Sequence, residues 1–437
     1  MDDSLKTYVV SLGCPKNLTY TEHILALIKG ATNSFFITNN IDEANIILIN
    51  TCAFIEDAVS ESVECILELS QNKKEDQKII VFGCLPLRYA SKLESVLPEV
   101  DKFVFHVEPF DVANEIAAYI GVKTHIENHE HKRIFTGHPW HTYVKISDGC
   151  SNRCTYCLIP KIRGPLRCRK PTSIIDEINL AVENGAIEVT LVAQDLTSYR
   201  VEDFDLVKLI EKILAETAVS WLRLMYLYPD GISKPLLELI AKESRICNYL
   251  DVPIQHASDK ILKRMGRKNS LSQLEKTMET IRKYLPEASL RTTVMVGFPG
   301  EEEGDFNILK EFIKKWRFHH LGCFVYSDEE DAPSRLLKNK VPEELAEERK
   351  SIILEMQKDI SLSINRSFIG KELDVLVDGY CEESELLLCS RNMFQAPEID
   401  GTTYITKGFS KAGALETVKI TDAFEYDLVG EIVPKKS

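Results

Sequence analysis

The sequence predicts an α/β protein in three parts: a doubly wound N-terminal domain on a parallel sheet, a partial (β/α) barrel, and a small C-terminal antiparallel β-barrel. Three observations carry this. Short apolar runs, rich in Val and Ile over residues 5–120, alternate with amphipathic stretches there and again from about 140 to 340, the pattern of βαβ units. From residue 368 short alternating runs are broken by Gly, Asn and Asp, as in small β-barrels. At 437 residues the chain is too long for one core, and two to three domains are expected.

In the first part, TYVVSLGC, ANIILINTC and QKIIVFGC are strands, each followed by a helical stretch. Each ends in a cysteine: Cys14, Cys52 and Cys84. The carboxyl ends of parallel strands share one edge, and ligands bind in the crevice there. Three cysteines far apart in sequence therefore converge as candidate ligands of a metal cluster. The alternative is three core thiols, since free cysteine is among the most buried residue types. A core thiol would more often sit inside a strand than just past its end. Cys65, in mid-helix, reads as core packing. Residues 121–140 are polar and His-rich and mark a boundary, with His125, His129 and His131 read as linker rather than as a metal tract.

The second part offers six strands: TYVKIS, EVTLVAQD, WLRLMYLYP, YLDVPIQH, LRTTVMVGFPG and LGCFVYS. Chemistry belongs at their carboxyl ends. Directly after the first comes DGCSNRCTYCLIPKIRG, with Cys150, Cys154 and Cys157 spaced Cys-x-x-x-Cys-x-x-Cys. Three thiolates so placed can hold three corners of a [4Fe–4S] cube and leave one iron open to a small molecule. Structural zinc prefers four ligands in paired knuckles, and the sequence has no second knuckle. The basic run Lys161, Arg163, Arg167, Arg169 and Lys170 follows. It could bind a carboxylate, balance cluster charge, or be a solvated face. Residues 343–366 form one long charged amphipathic helix, a connector or cap. The third part holds the runs ELDVLVDGY, ELLLCS, TTYITK, ALETVKITDAF and DLVGEIV.

Composition narrows the function classes. The chain is 44% hydrophobic and 27% charged, with no apolar run as long as a membrane span. Its start has neither a basic n-region nor an apolar h-region. The expectation is a cytoplasmic protein without membrane partners, whose twelve cysteines are metal ligands or buried thiols rather than disulfides. A net charge of −14 disfavours non-specific nucleic-acid binding. Residues 368–437 hold seven Lys and Arg against thirteen Asp and Glu. An acidic barrel suits a basic protein better than tRNA.

SLGCPKN, NTCAFIEDA, FGCLPLRY and DGCSNRCTYCLIPKIRG, in this order and spacing, resemble the radical S-adenosylmethionine (SAM) methylthiotransferases. The C-terminal segment resembles that family's TRAM domain. The resemblance implies an N-terminal methylthiotransferase domain over 5–120, a radical-SAM core over 136–366 and a TRAM domain over 368–437. DVPIQHASDKILKRMGR, RTTVMVGFPGEEEGDF, QAPEIDG and ITDAFEYDLVGE are most similar to the branch that acts on an aspartate of ribosomal protein S-twelve; the tRNA-adenosine branch is the alternative. A non-catalytic iron–sulfur or RNA-binding adaptor is a third, less favoured reading.

By this resemblance Cys150, Cys154 and Cys157 hold the cluster that binds SAM, and Cys14, Cys52 and Cys84 hold a second [4Fe–4S] cluster that carries sulfur. Two SAM molecules serve each product, one as methyl donor and one as radical source. A low-potential electron donor and a sulfur donor are implied partners. The implied SAM contacts are Tyr156, Gln194, Asp195, Gln255, His256, Gly297, Gly300 and Glu301. Gln255 and His256 could equally be buried hydrogen-bonding partners, and the glycine loop an ordinary turn. Two departures stand out. After SLGCPKN the family usually has Asp-Ser-Glu, where this chain has Tyr20, Thr21 and Glu22. Cys168 replaces a usual Ser and reads as a spectator.

Overall fold

A computed structural model describes residues 4–90, 92–382 and 384–434, without the side chain of residue 385. The N-terminal sheet contains β1 (Leu5–Ser11), β2 (Phe35–Ile37), β3 (Ile46–Thr51), β4 (Lys78–Gly83) and β5 (Lys102–Phe103). All four pairings are parallel, in the order β2-β1-β3-β4-β5. The three anticipated strands form its centre. The two edge strands are only three and two residues long, too short to leave a period. Helices α1 (Pro15–Ala31), α2 (Glu56–Gln71), α3 (Cys84–Tyr89) and α4 (Pro109–Tyr119) connect or flank them.

Strand alternation divides the core between the two faces of the sheet. Ile46, Leu48, Ile80 and Phe82 pack with Tyr20, Ile24 and Ile28 of α1. Ile47, Ile49, Ile79 and Val81 pack with Ile66 of α2. β3 is buried along its whole length, as a central parallel strand covered on both faces must be. Cys65 does not join this core; it is half-buried.

The chain forms two compact units. One comprises the residues up to Gly137 with Tyr143–Glu177 and Glu329–Ala332; the other comprises His138–Thr142, Ile178–Asp328 and the chain from Pro333. The cysteine loop after the first barrel strand therefore groups with the N-terminal sheet. Its Leu158 and Ile162 are buried in the same apolar cluster as Ile47 and Val81, which explains why a boundary drawn at the polar linker differs. That linker is also less solvated than its composition implies. Ile126 is buried, and Arg133 is buried against Glu22 and Glu177.

The six expected barrel strands are all present: β6 (His141–Lys145), β7 (Glu188–Val192), β8 (Trp221–Leu224), β9 (Tyr249–Asp251), β10 (Ser289–Val296) and β11 (His320–Val325). They form two three-stranded sheets, β8-β7-β6 and β9-β10-β11, joined by an isolated bridge between Leu222 and Ile246. Helix α5 (Pro171–Glu183) precedes β7, and the long helix α6 spans Glu343–Arg366 as expected.

The C-terminal barrel closes through β12 (Glu372–Cys381), β13 (Ser384–Asn392), β14 (Thr403–Lys407), β15 (Leu415–Ala423) and β16 (Leu428–Ile432). Its order is β12-β13-β14-β16-β15. The β14–β16 pairing is parallel, so the expected antiparallel barrel carries one exception at its closure. The expectation of no disulfides also fails: Cys381 and Cys389 are bonded across the β12–β13 hairpin, because the hairpin brings their strands together.

The end of β13 and the segment after it are anchored at or near the first residues of the barrel strands. Glu188, which opens β7, is buried between Arg223 and Arg391. The Tyr249 hydroxyl donates to Asp400 at 2.7 Å, and Ser289 and His320 both bond the Phe394 carbonyl. The C-terminal barrel thus sits at the amino ends of these strands, leaving their carboxyl ends for chemistry.

Candidate active site

The sheet order places a topological switch between β1 and β3, the position where open α/β sheets bind ligands at their carboxyl ends. Cys14 follows β1, Cys52 follows β3 and Cys84 follows β4. Cys14 is the N-cap of α1 but makes no side-chain capping bond, and Pro15 sets the first helical turn. Gly13 has φ +85°, and a Cβ there would lie 2.7 Å from Cys52 Cβ. Gly83 has φ +97°, and a Cβ there would lie 2.1 Å from Asn50 Oδ1. Only glycine fits both turns, and both present their following cysteines beside the switch. Ser62 of α2 pins Cys52 from both sides, accepting from its N–H at 3.1 Å and donating to its carbonyl at 2.8 Å.

These thiols lie within one another's fields. Burial pushes the Cys52 thiol up to about 11, and the charges of Cys84 and Cys14 add to the rise. Burial also opposes the Cys14 thiolate. There the Lys16 charge, the backbone N–H groups of Asn17 and Lys16, and Arg163 outweigh it and hold the thiol below its ordinary value. The start of α1 favours a thiolate for the same electrostatic reason.

Cys150, Cys154 and Cys157 lie in a loop folded on itself. Gly149 has φ +72°, and a Cβ there would lie 2.2 Å from the Pro165 carbonyl oxygen. The Cys150 N–H donates to the Gly164 carbonyl at 3.2 Å, and that of Cys157 to the Cys154 carbonyl at 3.1 Å. Asn152 N–H points at Cys150 Sγ, 3.4 Å away; such bonds stabilise thiolate sulfur in a cluster. Burial pushes the Cys157 thiol up to about 12, with Cys154 and Cys150 contributing. Tyr156 is half-buried between two of the cysteines.

Among the described residues no group of three His, Cys, Asp or Glu side chains could hold one metal ion. The thiol sets suit a cube, in which each thiolate binds a different iron. Both sets are all-thiol, with thiols lying in one another's fields, and are seated beside glycines whose close approaches forbid a Cβ. The residues fit iron–sulfur clusters.

The remaining candidates lie in the other unit. Asp195 caps a short turn, accepting from Thr197 N–H, Thr197 Oγ1 and Ser198 Oγ. Gln194, just before it, is half-buried. Gln255 has φ +67°, a conformation costly for a non-glycine residue and often found at functional positions. His256 is fully buried; its Nδ1 accepts from Ser258 N–H at 2.9 Å, and burial lowers its pKa to about 3. Glu301 pairs with Arg349 at 2.9 Å, while burial raises its carboxyl to about 7. His256 and Glu301 thus belong to a buried polar network.

Gly297 and Gly300 have their own packing reasons. A Cβ at Gly297 would lie 2.5 Å from Ala346 Cβ, and one at Gly300 would lie 2.8 Å from Arg264 Nε. At both, the atoms that crowd the missing Cβ belong to the protein. Cys168 pairs with Ser147 in a two-residue ladder. No residue pattern signals the buried Glu22–Arg133–Glu177–Arg169 chain or where Arg163 points.

Residues 144–313 match the Radical SAM superfamily, residues 6–105 the uncharacterized protein family UPF0004, and residues 369–433 the TRAM domain. Fold and site together define a radical-SAM enzyme, and S-adenosyl-L-methionine and [4Fe–4S] chemistry are its cofactors. The ribosomal protein uS12 methylthiotransferase RimO of Syntrophotalea carbinolica is 40% identical over 442 residues, covering 98% of this chain and 97% of the relative. The RimO of Trichlorobacter lovleyi is 41% identical, covering 98% of each. The chain belongs to the RimO family of radical-SAM methylthiotransferases. A solved structure of the radical SAM methyltransferase TsrM from Kitasatospora setae shares the fold, with a TM-score of 0.54 and 13% identity over 74% of this chain and 72% of that one.

Proposed function

We propose that this enzyme transfers a methylthio group to the β-carbon of an aspartate in ribosomal protein uS12, using two SAM and two [4Fe–4S] clusters. One observation carries the reading. The chain presents two all-cysteine sets, one in a local loop and one at the switch point of a parallel sheet. The relatives' names supply the substrate. The acidic excess over residues 368–437 supports a basic protein partner rather than tRNA.

In this reading Cys150, Cys154 and Cys157 hold the cluster that binds SAM, and Cys14, Cys52 and Cys84 hold the sulfur-carrying one. When bound, SAM supplies both a methyl group and, on one-electron reduction, a radical able to take hydrogen from an unactivated carbon. The protein's own residues keep the thiols in place, exclude water and aim the substrate. Tyr156, Gln194, Asp195, Gln255, His256, Gly297, Gly300 and Glu301 are the proposed SAM contacts, by resemblance; strain at Gln255 favours it most. A low-potential electron donor and a sulfur donor complete the partners. The reading carries a cytoplasmic location with it. No described helix is long and apolar enough to cross a membrane.

The test is mass spectrometry of a uS12 peptide after incubation with anaerobically reconstituted enzyme, SAM and dithionite. A gain of one methylthio group on aspartate is expected. 5′-Deoxyadenosine without that gain would move the search to tRNA or to an assembled particle. Neither product would end the radical reading.

A further inference from the structure

Arg163 leaves the Cys150–Cys157 loop and reaches the other cysteine set. Its side chain is buried, with 5% exposure. Nη2 donates to Asn17 Oδ1 at 3.0 Å and lies 3.5 Å from Cys84 Sγ. Asn17 is itself fixed, because its Nδ2 donates to the carbonyls of Leu12 at 3.0 Å and Thr51 at 3.2 Å. Those carbonyls lie in the turns that carry Cys14 and Cys52. The guanidinium stacks over the Tyr20 ring at 4.7 Å. Tyr20 is held in turn by its hydroxyl on the His106 carbonyl. Asp148 lies 3.9 Å from Nη1, and Lys145 and the Gly149 N–H bind that carboxylate. Among the described residues, Nη1 has no hydrogen-bond partner and is buried. A buried guanidinium so clamped is a fixed charge, unlike the neighbouring Lys161, which is half-exposed and pairs with Asp331.

We propose that Arg163 is a positioning residue for the Cys14/Cys52/Cys84 cluster, orienting Cys84 through an N–H···S contact and setting the cluster's reduction potential with its fixed positive charge. The inference rests on reading those cysteines as cluster ligands. Reduction adds negative charge, so a nearby buried cation favours the reduced state. Charge and hydrogen bonds to sulfur are the protein's main means of tuning such clusters. Arg163 is supplied by the SAM-cluster loop, so the properties of one site depend on the folding of the other.

The experiment is an EPR-monitored redox titration of the reconstituted chain carrying Cys150→Ala, Cys154→Ala and Cys157→Ala, which leaves one cluster site. Arg163→Gln, Arg163→Lys and Lys161→Gln are compared in that background. Arg163→Gln is expected to raise the oxidised-to-reduced ratio at fixed potential at least tenfold, a negative shift of about 59 mV for one electron. Arg163→Lys restores most of the shift, and Lys161→Gln changes the ratio less than twofold. An Arg163→Gln potential equal to the parent's, at equal iron content, overturns the proposal. Should Arg163→Gln hold no iron, the Lys variant decides: iron and potential retained support the role of charge, and iron lost as well overturns it. A parent triple variant without iron sinks the two-cluster reading itself.

Discussion

The two cysteine sites sit in one compact unit and are made in opposite ways. Cys150, Cys154 and Cys157 span eight positions of a single loop, closed by bonds within residues 150–164. Cys14, Cys52 and Cys84 come from three strand ends and exist as a set only after β1, β3 and β4 have paired. The first site is a property of local sequence; the second is a property of the sheet. The difference teaches that a motif search finds the first alone, whereas the second is found by asking where strands end.

The sharpest way to break this comparison is by function. Cys154→Ala should abolish SAM cleavage and product alike. Cys52→Ala should still form 5′-deoxyadenosine but no methylthio product. Chromatography of both variants after turnover with dithionite decides it. Equal methylthio product from Cys52→Ala and the parent would remove the second site from the chemistry.

A next test separates the supports. Gly83→Ala places a Cβ 2.1 Å from Asn50 Oδ1, and Gly149→Ala places one 2.2 Å from the Pro165 carbonyl. Both residues have positive φ, where alanine is strained. Each should lose iron from its own site and keep the other's, so reconstituted iron content falls to about half. Mössbauer spectra of the two variants then differ in which cluster survives. Loss of both clusters from Gly149→Ala would show the loop to be less local than its hydrogen bonds imply.

Much of this was legible in sequence. Short apolar runs announced β1, β3, β4 and all six barrel strands, because strands covered on both faces of a parallel sheet are largely apolar. Glycines before Cys14, Cys84 and Cys150 all take positive φ, so the Gly-Cys pairs were a readable sign of tight turns at the candidate ligands. What was not legible depends on distant partners. Edge strands of two or three residues carry no period. The Cys381–Cys389 bond needs the register of a hairpin. Arg163 looks like one member of a basic run until the fold turns it inward. Glu22 looked like the remnant of a family motif, but it accepts from Arg133, Thr136 N–H and Thr136 Oγ1 and fastens the linker.

Glu177 tests what the two sites share. It is fully buried and meets Arg133, Arg169 and His23, which come from the linker, the loop flank and α1. Burial opposes its charge, but Arg169, His23 and Arg133 hold its carboxyl far below the ordinary value of 4.5. A depressed carboxylate contributes stability that is complete above the unfolded value and lost as pH falls below it. Glu177→Gln removes the carboxylate shared by Arg133 and Arg169, leaving Glu22 as the carboxylate facing Arg133, and should cost about 3–5 kcal/mol. Chemical denaturation of the iron-free chain should show that cost at pH 7 and a shallower loss of stability below pH 4.5. Unchanged acid sensitivity would assign the slope to other groups.

The smallest effect concerns Tyr20, whose ring lies beneath Arg163. Tyr20→Phe removes the bond from its hydroxyl to the His106 carbonyl, 3.2 Å in the parent, and keeps the ring. One such bond contributes about 0.5–1.5 kcal/mol. The His106 carbonyl lies near the surface, where water can replace the lost donor, so the lower end applies. Iron content at both sites should stay at the parent's level, because the ring alone supports the guanidinium. Tyr20→Leu, which removes the aromatic face, should instead disturb the Cys14/Cys52/Cys84 site and spare the loop site. If Tyr20→Phe already releases iron from the sheet-built site, the hydroxyl holds α1 in place there, and that site depends on a single surface bond as well as on strand pairing.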